Sequence, residues 1–86
     1  MIKKIKEVIE TREQTHGPFT DTACMAQDTK ALWRGLGWWE LKPRQKEALD
    51  QIASKVARIL AGNSLEDEHW TDIQGYAELG KFSNED

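Results

Sequence analysis

Pro43 and Gly62 bracket a stretch free of any other proline or glycine, in which Ala48, Leu49, Ile52, Ala53, Val56, Ile59 and Leu60 recur at three- and four-residue spacing. That period belongs to an amphipathic α-helix, because a strand alternates its faces every two residues. Proline is tolerated in a first helical turn, where its missing N–H loses no bond, and glycine readily ends a helix. A helix from Pro43 to Ala61 is therefore expected, with the broadest apolar face in the chain. Whatever else the chain forms has to pack against that face.

The rest of the sequence is punctuated in the same way. Ile2, Ile5, Ile9 and Arg12 form one stripe of a helix running from about Ile2 to Thr15, with Val8 beside it, and His16-Gly17-Pro18 ends it. A second helix is expected to open at Thr20 or Asp21, either of which can cap exposed N–H groups. Ala23, Ala26, Thr29, Leu32 and Trp33 would be its inner face, and it breaks within Arg34-Gly35-Leu36-Gly37. Trp38-Trp39-Glu40-Leu41 reads as an aromatic connector. After Gly62-Asn63, Ser64-x-x-Asp67 has the form of a capping box, and Trp70, Ile73, Tyr76 and Ala77 continue inward until the helix decays near Gly80. The expected fold is all-α: a four-helix bundle of about 80 residues in one domain, 1–82, with a frayed tail at 83–86. Its last two helices, joined by a tight turn, would form a C-terminal αα-hairpin.

A chain of 86 residues buries a modest share of its surface and sits near the limit of independent stability. Its single cysteine, Cys24, excludes an intrachain disulfide and suits a reducing compartment. Self-association is the remaining relief, and a homo-oligomer using Trp33, Trp38 and Trp39 is expected. The net charge of −3 comes from mixed signs, which argues against a duplex-DNA partner. No apolar run reaches the roughly 18 residues of a membrane span, and no signal-peptide core follows the basic first residues. No membrane partner is expected, and the expected location is the cytoplasm.

The chemistry-bearing residues concentrate on the last two helices. Glu47 and Asp50 lie one turn apart, as do Lys55 and Arg58, and the following helix carries His69, Asp72 and Tyr76. Each set also has a plain reading as a solvated face or as ion pairs across the two helices. Their coincidence with Trp70, and with Arg12 and His16 upstream, points elsewhere. Cations beside aromatic faces suit a nucleotide-like ligand, the phosphate at one end and the base at the other. Arg12, His16, Lys55, Arg58, Trp70 and Tyr76 are the candidate ligand contacts. Glycine-rich phosphate loops, CxxC and HExxH motifs are absent from the sequence.

Taken together, Arg12-x-x-x-His16-Gly17-x-Phe19, Glu47-Ala48-Leu49-Asp50, Lys55-x-x-Arg58-Ile59-x-x-Gly62 and Trp70-x-Asp72-Ile73-x-Gly75-Tyr76-Ala77 resemble a short family of phage and prophage proteins. More distantly the chain is similar to the all-α, MazG-like nucleoside triphosphate pyrophosphohydrolases. That resemblance implies a Mg²⁺ site with Glu47 and Asp50 as one ligand pair and His69 and Asp72 as the other, and it implies the host cytoplasm as the setting. The histidine stands where those enzymes carry a carboxylate, and Asp50 replaces a longer glutamate. Mg²⁺ prefers oxygen ligands, so catalysis by this set would be weakened while phosphate binding by Lys55 and Arg58 survives. Three functions stay open. The first is non-catalytic binding that sequesters a host defence-signal nucleotide. The second is a divergent Mg²⁺-dependent pyrophosphohydrolase, and the third a protein-interaction module inhibiting a host protein.

Overall fold

The computed structural model describes residues 2–81, apart from the side chains of 2–4 and 13. The tail expected at 83–86 lies outside the described residues. The chain is all-α, with helices α1 (Ile2–His16), α2 (Phe19–Trp33), α3 (Pro43–Ala61) and α4 (Asp67–Leu79), and a 3₁₀ turn over Gly37–Glu40 between α2 and α3. No described helix is long and apolar enough to cross a membrane.

Helix α3 packs against each of the other three helices, as its apolar period predicts. The surface it uses is small. Ala48, Ala53 and Ala57 are buried with Ile59, and Ala26 of α2 faces the same interior. Alanines let neighbouring backbones come close: a Cβ placed on Gly80, just past α4, would lie 3.3 Å from the Ala48 methyl. The large side chains expected inside are less enclosed. Leu60 is 67% exposed and Leu32 is 76% exposed, so each lies outside the face assigned to it. Trp38 is the large residue that does enter the core, at 4% exposure. Its 3₁₀ turn drives it beneath the Arg34 guanidinium, 4.6 Å from the ring centre. Trp38 is thus spent within its own chain and does not join Trp33 and Trp39 in an external cluster.

Helix starts also differ from expectation. Helix α2 begins at Phe19 after Pro18, with no side-chain cap, which places Thr20 and Asp21 inside the first turn. Helix α4 begins at Asp67, and the Ser64 side chain does not cap it. Asn63 organises that turn instead: its Oδ1 accepts from the Leu65 N–H at 2.9 Å and its carbonyl from Glu66 N–H at 3.2 Å. Asparagine favours such local side-chain turns, and this one occupies the residues a longer helix would have used. The inner face of α4 also differs from the one expected. Its buried residue is His69, while Trp70 is 51% exposed and Ala77 also faces solvent.

Because Ala57 is fully buried in the α3 interface, Ala57→Leu should overpack it and cost about 1–3 kcal/mol. Leu60→Ala, on the exposed side of the same helix, should stay within about 0.5 kcal/mol of the parent. Urea unfolding followed by circular dichroism measures both, and equal losses would place Leu60 back in the core.

Candidate functional site

The C-terminus of α1 is held by backbone contact. Gly17 has φ +77°, a left-handed conformation that reverses the chain after the helix. A Cβ there would lie 2.1 Å from the Ala61 carbonyl oxygen, and one on Gly62 would lie 2.3 Å from the His16 carbonyl carbon. Only two glycines allow the ends of α1 and α3 to touch so closely. The carbonyls left over at the end of α1 then find partners. The Thr15 carbonyl accepts from Asn63 N–H at 3.1 Å and from His69 Nε2 at 3.0 Å. The His16 carbonyl accepts from the Thr22 hydroxyl at 2.7 Å. A carbonyl can only accept, so His69 carries its proton on Nε2.

This junction fixes His16, whose ring centre stands 5.0 Å from that of His69 at a tilt of 49°. Arg12 lies one turn earlier on α1, and α3 brings Arg58 to the same place. Together they line a cleft of about 370 Å³, with Ile9 and Phe19 as apolar walls and Thr22 and Gly17 completing it. Among the described residues, no carboxylate forms an ion pair with Arg12 or Arg58. The pKa of His16 is lowered, first by burial and then by the charges of Arg58, His69, Lys55 and Arg12. A histidine at a helix C-terminus is ordinarily favoured in its charged form. Here desolvation and the surrounding cations outweigh the helix dipole.

Arg12, His16 and Arg58 therefore meet in one cleft. The other candidate ligand residues do not line it. Lys55 is bound by Asp72, Nζ to Oδ2 at 2.9 Å, although it remains close enough to influence His16. Trp70 donates from Nε1 to the Ser64 carbonyl at 3.0 Å. Tyr76 lines a separate shallow groove with Leu49, Ile52 and Gly80.

The four candidate metal ligands are not gathered. Both Asp50 oxygens accept from one Arg34 nitrogen, at 3.0 and 3.1 Å. Glu47 accepts from Gln51 at 2.8 Å, Asp72 pairs with Lys55, and the His69 ring is turned to Thr15. No three histidine, cysteine, aspartate or glutamate side chains form a metal-binding group among the described residues. This donor set does not fit Mg²⁺, whose octahedral shell asks for oxygens free to converge. Compared with known proteins, the chain matches no family model, no curated protein and no solved structure.

Sequence reasoning missed Arg34, which clamps Asp50, donates to the Lys30 carbonyl and covers Trp38. Ile9 and Thr22 were missed as site residues too, and Phe19 was seen only as part of a motif. The glycine before proline at the end of α1 was the one local signal that this junction is special.

The lowered His16 pKa has a consequence for stability. At a pH above the ordinary value of 6.5 the group is neutral in both folded and unfolded chains. Below it the unfolded chain takes up the proton first, so stability falls with pH until the folded form is protonated too. Melting temperatures recorded from neutral pH to about 5.5 should decline, and less steeply in His16→Asn. An unchanged slope in the variant would remove His16 as the cause.

Proposed function

We propose that the chain binds a small phosphate-bearing, nucleotide-like ligand in the Arg12–His16–Arg58 cleft, without turning it over. The observation that carries this reading is the convergence of two guanidinium groups, with no ion-paired carboxylate on either among the described residues, on a cleft with apolar walls. Arginines bind phosphate oxygens through two parallel N–H donors, and desolvation strengthens such contacts. Ile9 and Phe19 offer the apolar surface on which a base can rest. A cleft of about 370 Å³ has room for one small ligand and lies at the small end of ligand pockets. Lys55, held by Asp72, adds positive potential from one layer further in.

The reading takes the four helices as a bundle whose C-terminal αα-hairpin supplies Arg58 and the Lys55–Asp72 pair. On the resemblance to phage proteins it extends to sequestration of a host defence-signal nucleotide in the host cytoplasm. Sequestration needs affinity but no metal. It is favoured over hydrolysis because the acidic residues that hydrolysis would use are tied to Arg34, Lys55 and Gln51.

Calorimetric titration with a panel of mono-, di- and cyclic nucleotides tests the proposal. At least one should bind, and Arg58→Ala should weaken it tenfold or more, the loss of about 1.5–3 kcal/mol expected of a charge-assisted contact. Arg58→Lys should recover part of that loss, because lysine keeps the charge but not the fork. Retained affinity in a less stable Arg58→Ala would make Arg58 a structural residue. Mg²⁺-dependent turnover abolished by Asp72→Asn would replace binding with hydrolysis.

A further inference from the structure

Among the described residues, helix α1 is hydrogen-bonded to the rest of the molecule around its last turn, where Thr15, His16 and Gly17 meet α3, α4 and the start of α2. From residue 5 to residue 12 every side chain is exposed. Three of them are large and apolar on one side of the helix: Ile5 at 59%, Val8 at 47% and Ile9 at 50% exposure. An isolated helix of this length is marginal in water, and about half of the described apolar face that would stabilise it is left uncovered by the chain. Phe19, 80% exposed across the cleft from Ile9, enlarges the same patch.

The charges beside the apolar stripe indicate what covers it. Lys6 and Glu10 are four residues apart and lie on the same flank, next to Ile5 and Ile9. The flank is therefore basic toward the N-terminus and acidic toward the C-terminus. Among the described residues no ion pair joins Lys6 to Glu10, and both are exposed. We propose that a second copy of this chain docks on α1, the two helices antiparallel about a two-fold axis. In that arrangement Ile5 of one copy meets Ile9 of the other, and Lys6 of each copy stands beside Glu10 of its partner. A parallel two-fold pair would instead turn this flank toward the opposite flank of the partner, on the Val8 side, and Lys6 and Glu10 would lose each other as partners. A two-fold interface must be complementary to itself, and this stripe with its split flank meets that condition.

Four apolar side chains per copy put the contact near the lower bound of specific interfaces, about 1,000 Å² in total. Ile9 and Phe19 also wall the Arg12–His16–Arg58 cleft, whereas Ile5, Lys6 and Glu10 do not, so substitutions at these three test the pairing without altering the cleft lining.

Sedimentation equilibrium of the full chain, at low salt and across micromolar concentrations, decides the matter. The parent should show a monomer–dimer equilibrium, and Ile5→Glu should raise its dissociation constant at least about tenfold. Lys6→Glu and Glu10→Lys should each weaken it about threefold or more, while the double variant Lys6→Glu/Glu10→Lys should recover parental association. All three residue changes lie on the exposed helix, and far-UV circular dichroism should show the parent fold in each of the four variants. A chain monomeric throughout would overturn the proposal. So would a dimer indifferent to Ile5→Glu, as expected if Leu36 and Trp39 formed the contact, or a charge swap that fails to restore association.

Discussion

Two glycines set the distance between the ends of α1 and α3, and the rest of the site depends on that contact. Gly17 must be left-handed to turn the chain, and neither it nor Gly62 has space for a Cβ. Once the backbones touch, the last carbonyls of α1 are removed from water and need donors. A buried carbonyl without one costs about 1–3 kcal/mol. Asn63, His69 and Thr22 supply those donors from the α3–α4 turn, from α4 and from α2. A single junction thereby ties all four helices together. It also explains why the most buried residue of α4 is a histidine: its ring meets a polar demand that no leucine could.

That demand was partly visible in the sequence. The apolar periods located the helices, because burial of one face leaves a mark every three or four residues. His16-Gly17-Pro18 marked the end of α1, because glycine and proline restrict the backbone locally. Arg12, His16 and Arg58 were picked out as ligand contacts by residue type and motif, and they do share a cleft. What stayed hidden was pairing across the fold. Nothing in the spacing of Arg34 and Asp50, sixteen positions apart, shows that one clamps the other. Trp70 and Tyr76 have inward periodicity, but the neighbouring position His69 is the one buried, and Trp70 is left half in water. The two positions differ by about 100° around the helix, and the apolar pattern of so short a helix does not show that a polar demand from Thr15 selects the histidine.

Charge is divided unevenly across the molecule. Asp50 on α3 and Asp72 on α4 are matched with Arg34 and Lys55, and these pairs hold helix to helix. At partly exposed positions such pairs contribute little individually. Their larger effect is to leave these two carboxylates engaged. The cleft, by contrast, is lined by Arg12, His16 and Arg58 with no carboxylate in its lining, in a chain whose overall charge is −3. Net charge describes non-specific attraction, whereas this local field would act on a ligand already close to the surface.

His16 connects the local field to the fold. Its ring is held at the junction by the Gly17–Gly62 contact, and there burial and four cationic or imidazole neighbours oppose its protonation. The same groups that make protonation unfavourable would attract an anion. An anion placed among them would cancel part of their field and remove the main charge penalty on the ring. Binding and proton uptake at His16 would then reinforce each other, because each lowers the cost of the other. Arg12, His16 and Arg58 thus bring groups of one charge sign to the point where three helices meet, and a bound phosphate would lower the repulsion among them. By linkage, the same free energy would appear as ligand affinity and as added stability of the folded chain.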